Sequence, residues 1–351
     1  MANNSTDDSG EVEYLCDLMD FSTVNAAFFI VIFIISVTGN SLLLVVLVCY
    51  ENLKNATNLF VLNLACSDLL FTFTLPFWAV DHLHHWVFGD LACKFLTAAY
   101  YVGLYSSTIL LTAITVDRFI TVVLNKWPRK PVRERCAVGV CAAAWIISVA
   151  ASLSDAIKVK ESKIDDEELI CESDDLDVNL SYYLQVSLLF FLPLAIIIFC
   201  YSAILKTVLQ FSNRKRLRTV VVVLCIVAAF FICWGPHHVL LFVETLYEPE
   251  RCDAKESWNI AYNICRLLAY SHCCMNPLLY MLSQNLRRHL LNFLHCDNVM
   301  TSEDRRAERT TFISDGNVQA TVGKNLDLHL LSDCFTNLGQ YITQDWLPNY
   351  S

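Results

Sequence analysis

Seven apolar runs, at residues 24–50, 58–80, 95–124, 136–156, 182–209, 219–246 and 258–282, constrain this chain more than any other feature. Each has about 20 or more residues, enough at about 1.5 Å rise per residue to cross a hydrocarbon core about 30 Å thick. A segment in lipid must satisfy its own backbone hydrogen bonds, so each run is expected to be a helix. Hydrophobic residues make up 55% of the chain, charged residues only 17%, and the mean hydropathy is +0.45. Such a composition excludes an ordinary soluble protein. The expected fold is an all-α membrane protein: a seven-helix transmembrane bundle over residues 24–283, with an acidic tail at 1–23 before it. After it come a short amphipathic surface helix at 284–295 and a disordered polar tail at 296–351. The first residues lack a basic n-region, so the first apolar run is read as the targeting signal.

Charge sets the orientation. Lys126, Arg129, Lys130, Arg133 and Arg135 follow the third run; Lys206, Arg214, Lys215, Arg216 and Arg218 follow the fifth; Arg287 and Arg288 follow the seventh. Basic loops face the cytoplasm. The opposite side carries Asp7, Asp8, Glu11, Glu13, Asp17 and Asp20 ahead of the first run, and Asp165, Asp166, Glu167, Glu168, Glu172, Asp174, Asp175 and Asp177 between the fourth and fifth. The expectation is a multi-pass plasma-membrane protein with its N-terminus outside and a negative outer face that would draw in a basic partner. Sequons at Asn3, Asn4 and Asn179 fall outside, where glycans can be added, whereas Asn55 falls inside. Most of the 16 cysteines lie within apolar runs, where a thiol is a small hydrophobe. Cys16, Cys93, Cys171 and Cys252 lie in outer polar segments, in an oxidising compartment, so two disulfides are expected. Four cysteines allow three connectivities, and spacing does not choose between them.

Polar residues inside the runs are the candidates for function, because a charge at the bilayer centre costs about 2.5–3.5 kcal/mol on insertion scales. Asp68 lies in mid-run, with Ser107, His272 and Asn276 as candidate neighbours from other helices. A sodium ion or a hydrogen-bond network could equally stabilise it. In the seventh run Arg266 should face a protein-lined cavity, and Pro277 should bend the helix while neighbours take up the freed carbonyl. His82, His84 and His85, and His237 and His238 deeper in the sixth run, are better read as polar surface and satisfied core than as metal ligands.

One motif per run then falls in order: Gly39-Asn40, Asp68, Asp117-Arg118-Phe119, Trp145, Pro193 with Tyr201, Cys233-Trp234-Gly235-Pro236, and Asn276-Pro277-Leu278-Leu279-Tyr280. Together they resemble the rhodopsin-like G-protein-coupled receptors over residues 25–293. Thr74-Leu75-Pro76-Phe77-Trp78, Trp86-Val87-Phe88-Gly89 and Ser271-His272-Cys273-Cys274-Met275-Asn276-Pro277 are similar to chemokine receptors. Tyr50-Glu51-Asn52-Leu53 and Ile264-Cys265-Arg266 look most like the lymphotactin-type, XC-class branch.

The resemblance implies pairings Cys93–Cys171 and Cys16–Cys252. It implies a cell-surface receptor that binds a small basic chemokine and activates heterotrimeric G proteins of the inhibitory class, with calcium mobilisation and chemotaxis as outputs. The alternative within the family is a scavenger without G-protein output. The acidic tail, with Tyr14 as a candidate for sulfation, would hold the chemokine body. Trp78, Asp81, Tyr100, Glu244 and Arg266 would meet its N-terminus, and Trp86 and Glu172 are further ligand-binding candidates. Most members carry glutamate in place of Arg266, so an acidic or carbonyl group of the ligand is expected there instead. Asp117, Arg118, Tyr201, Trp234, Pro236, Asn276, Pro277 and Tyr280 would form the activation switch and coupling face. Phe119 departs from the usual tyrosine.

The resemblance also implies kinases and arrestin acting on tail hydroxyls such as Thr301, Ser302, Thr310, Thr311 and Ser314, and a palmitoylation candidate at Cys296. No cofactor, no nucleic-acid partner and no metal besides the candidate sodium are implied. A retinal protein would need a lysine in the seventh run, and none occurs there. A transporter's inverted repeats and an intramembrane enzyme's facing nucleophile and base are likewise missing.

Overall fold

The computed structural model describes residues 4–6, 12–14, 16, 18–124, 130–163, 169–173, 190–211, 214–244 and 251–280. Every expected run is helical within that range: α1 Ser22–Tyr50, α2 Ala56–Leu83, α3 Gly89–Phe119, α4 Lys130–Lys158, α5 Leu192–Phe211 and α6 Arg214–Glu244. The seventh column is in two pieces, α7 Cys252–Tyr270 and α8 His272–Tyr280. A π-helical turn, Ile120–Leu124, extends α3. Among the described residues four helices are long and apolar enough to cross a membrane, while α5 and α6 contribute shorter apolar stretches, Leu192–Thr207 and Val227–Val243. The protein is a seven-helix membrane bundle. Asn3, Asn179, the expected surface helix and the tail beyond it lie outside the described residues.

Two short hairpins accompany the helices: β1 Asn4–Thr6 pairs antiparallel with β2 Val12–Tyr14, and β3 Val159–Lys163 with β4 Leu169–Ser173. Both hairpins lie in segments read as plain tail or loop. The basic residues after the third and fifth runs were placed in loops, yet Arg133 and Arg135 stand on the first turns of α4, and residues 214–218 on those of α6. The helices simply outlast the apolar runs, since water-facing turns can carry charge.

The seventh column, expected to bend at Pro277 while neighbours take up the freed carbonyl, is interrupted at Ser271, and α8 runs on through the proline. The ring removes the donor that would have served the Cys273 carbonyl four residues back. That carbonyl is taken instead by Asn40 Nδ2 on α1, at 3.0 Å, and by Ser36 Oγ at 3.4 Å. At the break, Ser271 N reaches Leu267 O at 3.1 Å and Cys274 N reaches Ser271 O at 3.0 Å, so a tight turn absorbs the distortion.

Two glycines set how closely the helices approach. A Cβ on Gly39 would lie 2.8 Å from Pro277 Cγ, and one on Gly103 would lie 2.8 Å from the Phe71 backbone nitrogen and 2.9 Å from Ser67 O. The α1–α8 and α2–α3 interfaces therefore need small residues, as packing in lipid generally does. Around them a buried core runs through Phe29, Leu64, Phe71, Leu110, Ile204 and Trp234.

Candidate functional site

Two disulfides shape one end of the bundle. Cys93 at the start of α3 is bonded to Cys171 on β4, with Cα atoms 5.7 Å apart. Cys16 is bonded to Cys252 at the start of α7, with Cα atoms 5.4 Å apart. The first fastens the β3–β4 hairpin to α3, and Glu161 N adds a bond to Asp90 Oδ1 at 3.2 Å. The second holds the tail against α7, where Asn259 Nδ2 donates to Met19 O at 2.9 Å. Asp20 accepts hydrogen bonds from the Ser22 side chain and from the Ser22 backbone N–H, the latter 2.8 Å from Oδ1, and these hold its carboxyl below the ordinary aspartate range.

Trp86, expected to contact ligand, is buried in the loop that carries it. Its ring is 0% exposed, its backbone N–H donates to Leu169 O at 2.8 Å, and its indole N–H donates to Gly89 O at 2.9 Å. Gly89, with φ +81°, makes the turn that presents this carbonyl. Trp86 is thus the core of the loop, packed with Cys93 and Leu96. Trp78 packs against it with ring centroids 5.5 Å apart. Glu172, on β4, accepts a hydrogen bond from Ser162. Asp81 is half-buried near the end of α2. Tyr14 lies on β2 and Asn4 on β1, opposite one another in register. Glu244 ends α6, but its side chain and that of Tyr280 lie outside the described residues.

Arg266 sits beneath this end. One guanidinium nitrogen, Nη2, donates to Asn263 Oδ1 at 3.1 Å, an oxygen that also accepts from Asn25 Nδ2 at 2.8 Å. The guanidinium carbon lies 5.9 Å from the Phe29 ring centre and 5.4 Å from that of Tyr262. Its Nε is buried without a hydrogen-bond partner, and among the described residues no carboxylate pairs with it. Ring faces each contribute about 0.5–1 kcal/mol, much less than a bidentate carboxylate would. The positive charge is held in place and only partly compensated.

Below Arg266 lies an aromatic floor. Tyr100 packs on Phe71 at 5.1 Å and on Tyr270 at 5.7 Å; Trp234, 1% exposed, packs on His238 at 5.6 Å and on His272 at 5.3 Å. His237 packs at a tilt beside Tyr262, ring centres 5.6 Å apart. Among the described residues no cluster of metal-ligating side chains occurs.

In the bundle centre Asp68 is fully buried. Ser107 Oγ donates to Oδ1 at 3.1 Å, and Asn276 Nδ2 to Oδ2 at 2.6 Å, so each carboxylate oxygen has a donor. His272, expected beside them, instead faces the aromatic floor: its Nδ1 lies 2.8 Å from Ala269 O and its ring 4.9 Å from that of Phe71. The break at Ser271 starts a new helix at His272 and so sets this direction. Nearby, Ser106 donates to Ser67 at 2.8 Å and the Trp145 indole to Asn63 Oδ1 at 3.0 Å.

At the arginine-bearing end lie Asp117 and Arg118, expected in the activation switch. Asp117 is held by Arg133 of α4 in a two-pronged ion pair, Nη2 to Oδ2 at 2.7 Å and Nε to Oδ1 at 3.1 Å. Arg118 donates to the Thr57 hydroxyl on α2. Neighbours in a helix point about 100° apart, so each of the two reaches a different flanking helix. Phe119 packs on Phe199 of α5, ring centres 5.8 Å apart. Tyr201 is buried, 4% exposed, with its hydroxyl unpaired among the described residues. Arg133, Thr57, Asn25 and Asn263 were not singled out in the sequence. For Arg133 the only signal was its place in a basic stretch, which topology alone explains.

Residues 39–280 match the 7 transmembrane receptor (rhodopsin family) profile. The chain is 40% identical over 269 residues to the chemokine XC receptor 1 of Homo sapiens, spanning 75% of this chain and 79% of that one. It is 36% identical over 284 residues to the chemokine XC receptor 1 of Mus musculus, 80% and 86% of the two chains. To the CX3C chemokine receptor 1 of Homo sapiens it is 33% identical over 299 residues, 82% and 83%. With the motifs, the Cys93–Cys171 and Cys16–Cys252 disulfides and the bundle in agreement, the chain belongs to the chemokine receptors, within the rhodopsin family of seven-transmembrane, G-protein-coupled receptors.

Proposed function

We propose that the chain is a signalling receptor for an XC-class chemokine, with its N-terminus outside the cell. The observation that carries this reading is Arg266: a held cation, short of a carboxylate, beneath the disulfide-bearing end. The acidic segments around that end, with Tyr14 and Glu172, would capture the basic chemokine body. Its N-terminal segment would then descend between Trp78, Asp81, Tyr100 and Glu244, and present a carboxylate or carbonyl to Arg266. A carboxylate there would gain charge-assisted hydrogen bonds in a site already stripped of most water.

Signalling is a population shift. A ligand that favours the active arrangement does so only by its differential contacts with the two states. Those contacts bear on Trp234 and the helix that carries Pro236, whose other end would move outward and free Arg118 for the G protein. Asn276, Pro277 and Tyr280 link the Asp68 network to the same end. Inhibitory-class coupling, followed by tail phosphorylation and arrestin binding, completes the proposed cycle.

The test is a panel of labelled chemokines on cells expressing the wild type or Arg266→Glu at equal surface level. Charge reversal should weaken the wild-type ligand by about tenfold or more, about 1.4 kcal/mol, or move the preference to another chemokine. An unchanged spectrum and potency would remove Arg266 from the ligand site. Tight binding with no calcium response in the wild type would favour the scavenger reading.

A further inference from the structure

A groove of about 370 Å³ opens between α3, α4 and α5 in the half of the bundle that carries Asp117, well away from Arg266. Ile109, Ala113, Val116, Cys136, Val140 and Pro193 line its walls. Cys136 and Val140 are exposed and lie on apolar segments, so the medium outside the groove is lipid. One end is charged, for the Asp117–Arg133 pair closes it. Within that pair Arg133 is the outer partner, its side chain 24% exposed against 6% for Asp117. Arg135, exposed on the same helical turn, adds positive charge.

An apolar slot that ends at an arginine has the two halves of a phospholipid site. A sterol or other neutral lipid would fill the walls but could not compete with Asp117 for the guanidinium, whereas a phosphate matches it in charge and in its two-pronged geometry. Anionic lipids are also drawn to basic residues at a helix end, by about 1 kcal/mol per charge in general. We propose that this groove binds an anionic phospholipid, acyl chain between α3 and α4 and phosphate on Arg133. The phosphate competes with Asp117 for the same guanidinium. Binding therefore loosens the contact between α3 and α4 beside Arg118, and gives the membrane's anionic lipid content a hold on the coupling end. The groove requires only the membrane-spanning fold; the link to coupling rests on the function proposed above.

The test uses the full-length chain in nanodiscs of phosphatidylcholine containing phosphatidylserine, without chemokine or G protein, so its outcome is separate from that of the proposed function. Phosphatidylserine and phosphatidylcholine probes with the same photoreactive acyl chain are crosslinked, and the labelled peptides are mapped. Several-fold heavier labelling of residues 109–116 and 136–140 by the phosphatidylserine probe is expected. Arg133→Gln should reduce it to the phosphatidylcholine level, and Ala113→Phe should remove both. Val140→Phe, from the opposite wall, repeats the block should Ala113→Phe not fold. Equal labelling by the two probes, an unchanged ratio in Arg133→Gln, or loss of label on adding cholesterol would overturn the proposal.

Discussion

Arg118→Ala is expected to abolish G-protein activation while leaving chemokine binding at the disulfide-bearing end intact. Arg118 lies at the last turn of α3, and its guanidinium is engaged by the Thr57 hydroxyl on α2. A hydrogen bond of this kind contributes about 0.5–1.5 kcal/mol net, so giving up Thr57 is within what ligand binding can supply. Asp117 beside it is held by Arg133 in two bonds. Loss of the guanidinium removes the one mobile cation proposed to meet the G protein, and the distant ligand cavity keeps all its contacts. The check is ligand-stimulated nucleotide exchange beside radioligand binding at matched surface expression. Signalling at the wild-type level would remove Arg118 from the coupling face.

Gly103→Ala should be the most damaging single methyl in the bundle. The added carbon would lie 2.8 Å from the Phe71 backbone nitrogen and 2.9 Å from Ser67 O, and backbone atoms cannot rotate aside. Moving α2 and α3 apart also stretches Ser106 to Ser67 and Ser107 to Asp68. Overpacking costs typically about 1–3 kcal/mol, and here two buried hydrogen bonds weaken with it. Surface expression and the thermal midpoint in detergent should both fall. Gly139→Ala on α4 is the control: a Cβ there meets nothing within 4 Å, and the helix gains about 0.5–1 kcal/mol of propensity. If the two variants behave alike, close α2–α3 packing does not hold this fold.

These two residues show how far the sequence could be read. Apolar length fixes the helices, because a bilayer accepts few other arrangements, and Asp68 could be marked at once as a charge in mid-run that needs partners. Ser107 and Asn276 do meet it. Which side chains meet across helices depends on rotations that no one segment encodes. Asp117 therefore pairs with Arg133 rather than with its own neighbour, and His272 turns to the aromatic floor. Pro277 announces a distortion, but the place where it is relieved depends on Asn40 reaching across from α1. Trp86 illustrates a different gap. A tryptophan in an outer segment looks like a contact for ligand until the hairpin folds over it, and neither Val159–Lys163 nor Leu169–Ser173 has the strict apolar alternation that would announce a hairpin.

The central claim is that a chemokine received at the disulfide-bearing end drives the arginine-bearing end. The most direct measurement is nucleotide exchange on a purified inhibitory-class heterotrimer by the full-length receptor in nanodiscs, titrated with an XC-class chemokine. The account predicts saturable stimulation that disappears in Arg118→Ala and shifts to higher chemokine concentration in Arg266→Glu. Saturable binding of that chemokine to the wild type without stimulated exchange would contradict it.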